Sequence, residues 1–212
     1  MIKANKRALW LTSVLILLPI AAGLALWPAL PNRIATHFGV DNQPNGWSSK
    51  PFAVLGWPCV VLALHWTAVA ALALDRRRRN IDRKMVAILL WICPITSLLL
   101  SAITYANALG APVNVGFLVM LLLGVMFITI GNGLPKCKQN HTLGVRLPWT
   151  LQDPENWRRT HRVAGWSMSV AGVLVLATAY LRIPWLFFGI LTLALLLPAL
   201  YSFIYHRRHT SR

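Results

Sequence analysis

The chain has 212 residues, of which 57% are hydrophobic and only 12% charged, against roughly 25% charged for a soluble domain. That excludes an ordinary water-soluble domain. The net charge of +16 would suit nucleic acid, but the basic residues come in short bursts between apolar runs, as the positive-inside rule places them. No base-reading or stacking platform accompanies them, so an integral membrane protein without direct nucleic-acid contact is expected.

Six apolar runs are long enough to cross a bilayer, each near the roughly 20 residues that a span needs. They are Ala8–Trp27, Phe52–Leu74, Met85–Tyr105, Val113–Leu134, Val163–Tyr180 and Ile183–Tyr205, and none carries Asp, Glu, Lys or Arg in its body. Backbone groups in lipid must pair within their own segment, so these runs are helices. The expected fold is an all-α polytopic membrane protein with six transmembrane helices, one ordered outer loop and one ordered inner loop. An N-terminal module, 1–112, would hold spans one to three and the outer loop 28–51. A C-terminal module, 113–212, would hold spans four to six and the inner loop 135–162.

Orientation follows from the charge count. Eighteen Lys and Arg precede span one, follow spans two and four or close the chain, against Arg33, Lys50 and Arg182 on the other side. Both termini are therefore expected in the cytoplasm. The basic start, apolar run and Ala21-Ala22-Gly23 of span one resemble a cleavable signal peptide. The run is longer than a usual signal core of about 7–15 residues, so an uncleaved helix is expected.

The first long connection, LPNRIATHFGVDNQPNGWSSK, is marked by turn formers at Pro31, Gly39, Pro44 and Gly46. His37, Phe38 and Trp47 give it aromatic surface, and Lys50 closes it. It reads either as a solvated loop or as a compact outer cap that presents a recognition surface. His37 is alone, and a metal site needs more ligands.

Between spans two and three stands DRRRRNIDRK, from Asp75 to Lys84, a basic anchor for an anionic leaflet. After span four comes GNGLPKCKQNHTLGVRLPWTLQDPENWRRTHR, from Gly131 to Arg162, which holds two of the chain's five acidic residues. Asn132 is a candidate helix cap and Pro135 blocks continuation. Pro148 should hold Leu147 extended, letting Trp149 and Leu151 dip into the interface. Asp153-Pro154-Glu155 reads as an N-cap, a first-turn proline and an acid at the helix's positive end. Glu155 then stands three and four residues before Arg158 and Arg159, and Trp157 shares a face with His161. Gly165 and Ser169 offer a small-residue seam, so span five begins as a helix near Pro154. Arg146 reads as an ordinary positive-inside charge or as a fork onto Asp153 or a lipid phosphate.

No catalytic set assembles. His65, midway along span two, is open to two readings: an intramembrane functional group or a neutral histidine bonded to a neighbouring helix. Cys137 and His141 lack a second ligand pair. With no membrane carboxylate, a proton relay lacks its usual parts. Neither enzyme chemistry nor a cofactor is expected. The rival class is a small transporter or channel-like protein.

Both polar connections together resemble the SdpI family. The outer one carries the Pro31, His37-Phe38, Gly39 and Trp47-x-x-Lys50 pattern. The inner one carries Asn132, Pro135-Lys136, Asn140, Gly144, Arg146, Pro148-Trp149-Thr150, Trp157, His161-Arg162 and Gly165. Gly133 and Cys137 depart from it, where bulkier residues would be expected. The resemblance implies a bacterial cytoplasmic-membrane protein that gives immunity to a secreted toxic peptide. It also implies a sensor that captures a small winged-helix repressor at the membrane. On that reading the inner connection is the output or latch, and recognition lies elsewhere.

Overall fold

The computed structural model describes residues 5–181, 183 and 185–210, with Thr210 by its backbone alone. Lys3, Arg182 and Arg212, which enter the charge count, and the expected turn at Arg182 lie outside the described residues. The long helices are α1 (Lys6–Ala25), α2 (Trp57–Leu74), α3 (Arg83–Ala108), α4 (Val115–Gly133), α6 (Pro154–Tyr180) and α7 (Leu186–Thr210), with a short α5 (Pro148–Gln152) before α6. All six expected spans are thus present as helices long and apolar enough to cross a membrane. Large side chains such as Leu64, Phe188 and Leu193 are exposed on them, as suits contact with lipid tails.

The fold is not all helix. The segment read as the outer loop contains an antiparallel hairpin of β1 (Arg33–Phe38) and β2 (Pro44–Ser49). Sequence periodicity misses it because Ile34 is the one side chain in β1 that is buried. Its pairing is also irregular on either side of His37. A second surprise opens α2, where Phe52–Gly56 winds as a π-turn. Pro58 has no N–H to return to the Val54 carbonyl, so the wider turn passes over the missing bond.

By compactness the chain divides into two units, Met1–Ala73 with Leu89–Leu118, and Leu74–Ile88 with Val119–Arg212. In the first, polar side chains tie α1 to its neighbours. Ser97 donates to the Ile16 carbonyl at 2.9 Å and Tyr105 to that of Pro19 at 3.1 Å. Thr12 donates to the Leu9 carbonyl and stands 3.2 Å from His65 Nε2. The Thr12 oxygen is therefore left to accept from Nε2–H, which makes Nε2 the protonated nitrogen. This matches the plain reading of His65 as a histidine bonded to a neighbouring helix.

In the second unit, α4 and α6 cross at glycines seven residues apart on each helix. A methyl placed on Gly172 would stand 2.6 Å from the Gly124 carbonyl, and one on Gly131 would stand 2.8 Å from that of Gly165. Backbones this close leave no room for side chains, as in small-residue membrane helix crossings. The seam expected at Gly165 and Ser169 is present, with Gly131 as its partner.

Candidate functional site

The hairpin cap is fastened at both ends. At its tip, Asn42 (φ 63°) accepts from the amide of Val115 at 2.8 Å and donates to the Val113 carbonyl at 3.1 Å. It thereby supplies an acceptor for a helix-start amide that has no intrahelical partner. At its base, Lys50 donates to the Trp27 carbonyl at 3.1 Å with its ammonium over the Trp27 ring. Lys50 is only 9% exposed, so it is a tie rather than an open recognition group. Ile34 anchors the cap against Leu30, Ala53, Val54 and Tyr105. Pro31, His37 and Trp47 face outward, Phe38 and Gly39 are half-buried, and His37 is hydrogen-bonded to Asn45.

The basic connection after α4 is ordered throughout. Helix α4 runs past Asn132 to Gly133 and tightens into a 3-10 turn over Leu134–Lys136. Asn132 is therefore an exposed helical residue and not a cap. Pro135 packs on Gly165, where an added methyl would meet its ring at 2.6 Å. Gly133 gives way to Met85, whose sulfur occupies the room that a side chain there would need. Met85, Leu134, Cys137 and Ala164 form one apolar cluster. Burial, and then the nearby negative charge of Asp82, push the Cys137 thiol up to about 11, so it is not a reactive thiolate.

Five residues of the SdpI-like pattern fold the loop onto α6. Asn140 accepts from the amides of Thr142 and Leu143 at 2.9 and 2.7 Å and donates to the Lys138 carbonyl at 2.9 Å. Thr150 accepts from the Leu147 amide at 2.9 Å, and its hydroxyl faces the Val145 and Leu147 carbonyls at 2.9 Å each. Trp157 donates from its indole to the Cys137 carbonyl at 2.8 Å and stacks on His161, ring centroids 4.0 Å apart. His161 is fully buried and accepts from the Val145 amide at 3.1 Å. Gly144 has φ 108°, and a methyl on it would come within 1.9 Å of His161 Nε2, so only glycine suits both its backbone and its space.

Leu147 is extended before Pro148, as expected. The short α5 that follows presents Trp149, which donates to Ser202 of α7 at 3.1 Å and stacks on His206. Asp153 caps α6 through the amides of Glu155 and Asn156, and Glu155 pairs with Arg158 and Arg159. Arg146 does not fork onto Asp153. It donates to the His141 carbonyl at 2.7 Å instead. Arg146, Lys136, Pro148 and Arg162 are exposed.

Sequence reading missed three organisers, Asp75 and Asn156 buried and Gln139 half-buried. Asp75 accepts from the Arg77 amide at 2.7 Å, the His141 amide at 2.9 Å and the Thr142 hydroxyl at 2.7 Å. Burial alone would raise its pKa, but these donors outweigh burial and hold the carboxyl below its ordinary 3.8. Gln139 accepts from Arg77 through its side chain and from Asn80 through its carbonyl, and donates to the Thr150 carbonyl. Asn156 donates to the Ser202 carbonyl and accepts from Thr160. The one available signal is Asp75 itself, an acid placed directly before four arginines.

Six membrane-length helices, with a hairpin and a folded basic loop between them, define a multi-pass membrane protein. Residues 136–202 match the SdpI/YfhL protein family, and residues 14–62 match a domain of unknown function, DUF1648. The first match runs from the basic loop to Ser202, and the second contains the hairpin. The chain is 26% identical to the Immunity protein SdpI of Bacillus subtilis (strain 168) over 203 residues, covering 92% of this chain and 94% of the relative. These matches bear out the SdpI-family resemblance carried by Leu30–Gly165. No solved structure matches the chain.

Proposed function

We propose that the protein gives a bacterium immunity to a secreted antimicrobial peptide. The observation that carries this reading is its similarity to Immunity protein SdpI along nearly the whole chain. The charge count supports an orientation with both termini in the cytoplasm. In that orientation the hairpin faces outward and the basic loop inward. Exposed Trp47 and His37 are then the surface that meets the peptide, and the ties at Asn42 and Lys50 keep that surface shaped. The loop around Arg146, Trp149 and His161 is the output, and its exposed bases suit an acidic face of a cytoplasmic winged-helix repressor held at the membrane.

The test is survival of a toxin-sensitive strain expressing the chain and challenged with the peptide. Protection over an empty-vector strain is expected. No gain in survival at confirmed membrane expression overturns immunity. Where the wild type protects, Arg146→Ala is expected to abolish protection at an equal amount of membrane protein, and unchanged protection removes Arg146 from the output.

A further inference from the structure

The run Asp75–Lys84 is more than a charge anchor, because the fold shapes it. Asp75 is buried and turned onto the backbone amides of 77 and 141. Arg77 is drawn onto the Gln139 side chain, and Asn80 donates to the Gln139 carbonyl at 2.8 Å. These bonds join 75–80 to 137–142 within one unit. In sequence, Arg79 and Lys138 are the neighbours of Asn80 and Gln139, and Arg76 and Lys136 lie four and three residues before them. All four side chains are exposed.

We propose that this join is a preformed site for the phosphate headgroup of an anionic phospholipid. Its position favours lipid over a soluble anion. Leu74, directly before Asp75, is 81% exposed at the end of a membrane-length helix, and Lys136 ends the α4 span. The four cations therefore stand at headgroup level, where each basic residue strengthens binding to an anionic surface about fivefold. Geometry separates this site from a plain positive patch. A patch depends on the number of charges, whereas a built site depends also on the uncharged Asn80 and Gln139 that join the two segments carrying the cations. The site stands independently of any toxin.

The experiment titrates the detergent-solubilised full chain with phosphatidylglycerol and, in parallel, phosphatidylcholine, reading bound lipid by native mass spectrometry. Preference for phosphatidylglycerol is expected. Arg79→Gln and Lys138→Gln, both surface changes, should each weaken it about fivefold. Asn80→Ala with Gln139→Ala should also weaken it at unchanged net charge, with the thermal melt of the variant recording that it stays folded. Equal retention of the two lipids overturns the proposal, as does displacement of bound phosphatidylglycerol by inorganic phosphate at matched concentration. Wild-type preference in the Asn80/Gln139 double variant overturns the built site. Should that variant not fold, the two surface variants decide, and unchanged preference in both overturns it.

Discussion

The amide of Val145 donates to Nε2 of His161 at 3.1 Å, while Nδ1 of the same ring stands 2.9 Å from the Trp157 carbonyl. One nitrogen must accept and the other donate, so the imidazole is held as the Nδ1–H tautomer and the loop is locked to the start of α6. His161→Phe keeps the stacking on Trp157 but leaves the half-buried Val145 amide without its acceptor. A fully buried orphan costs about 1–3 kcal/mol, and this one costs less. A lower unfolding temperature in detergent is expected, while an unchanged melt would detach the loop from this histidine.

Gly144→Ala tests the same lock from the other side. The left-handed φ of 108° and the 1.9 Å approach to His161 Nε2 both penalise a methyl. Backbone strain alone costs about 1–3 kcal/mol. The variant should lose more stability than Gly189→Ala, a position where an added methyl meets nothing within 4 Å. Comparison of the two melts checks this.

Asp75 gives the loop a pH limit. Its folded-state pKa lies below the ordinary 3.8, so its stabilisation is complete above that value and is lost as pH falls through the folded one. Protease accessibility of the loop at 137–147 should therefore stay constant from neutral pH down to about 4 and rise below it. Asp75→Ala should show the accessible state already at neutral pH, since its three donors lose their acceptor.

The glycine crossing of α4 and α6 gives a fourth expectation. Gly131→Leu inserts a side chain where a methyl already meets the Gly165 carbonyl and the Ser169 amide at 2.8 Å. Overpacking of this kind costs roughly 1–3 kcal/mol. Gly116→Leu, whose nearest neighbour stands 3.7 Å away, should be tolerated. Yields of folded protein after size-exclusion chromatography separate the two cases.

How much of this was legible beforehand depended on the range of the signal. Spans are set by local composition, so all six could be read. The N-cap at Asp153 and the pairing of Glu155 with two arginines are contacts within four residues, and those could be read as well. The hairpin escaped because its apolar face shows in β1 as the single buried side chain of Ile34, too short a pattern for period two. Asp75 and Gln139 escaped because their partners lie far along the chain, at 141 and 142 and at 77 and 80. Arg146 could be singled out but not aimed, since its acceptor is a backbone carbonyl, that of His141, which no residue pattern marks. The role of Gly144 rests on His161, seventeen residues away, and only the fold joins them.

Most direct of all is photo-crosslinking of the toxic peptide to protected cells, with a photoreactive residue placed in turn at Val40, Trp47 and Arg146. Adducts are expected at Val40 and Trp47, exposed on the hairpin, and none at Arg146. Protection without a hairpin adduct would contradict recognition by the hairpin, and an adduct at Arg146 alone would make the basic loop the point of contact.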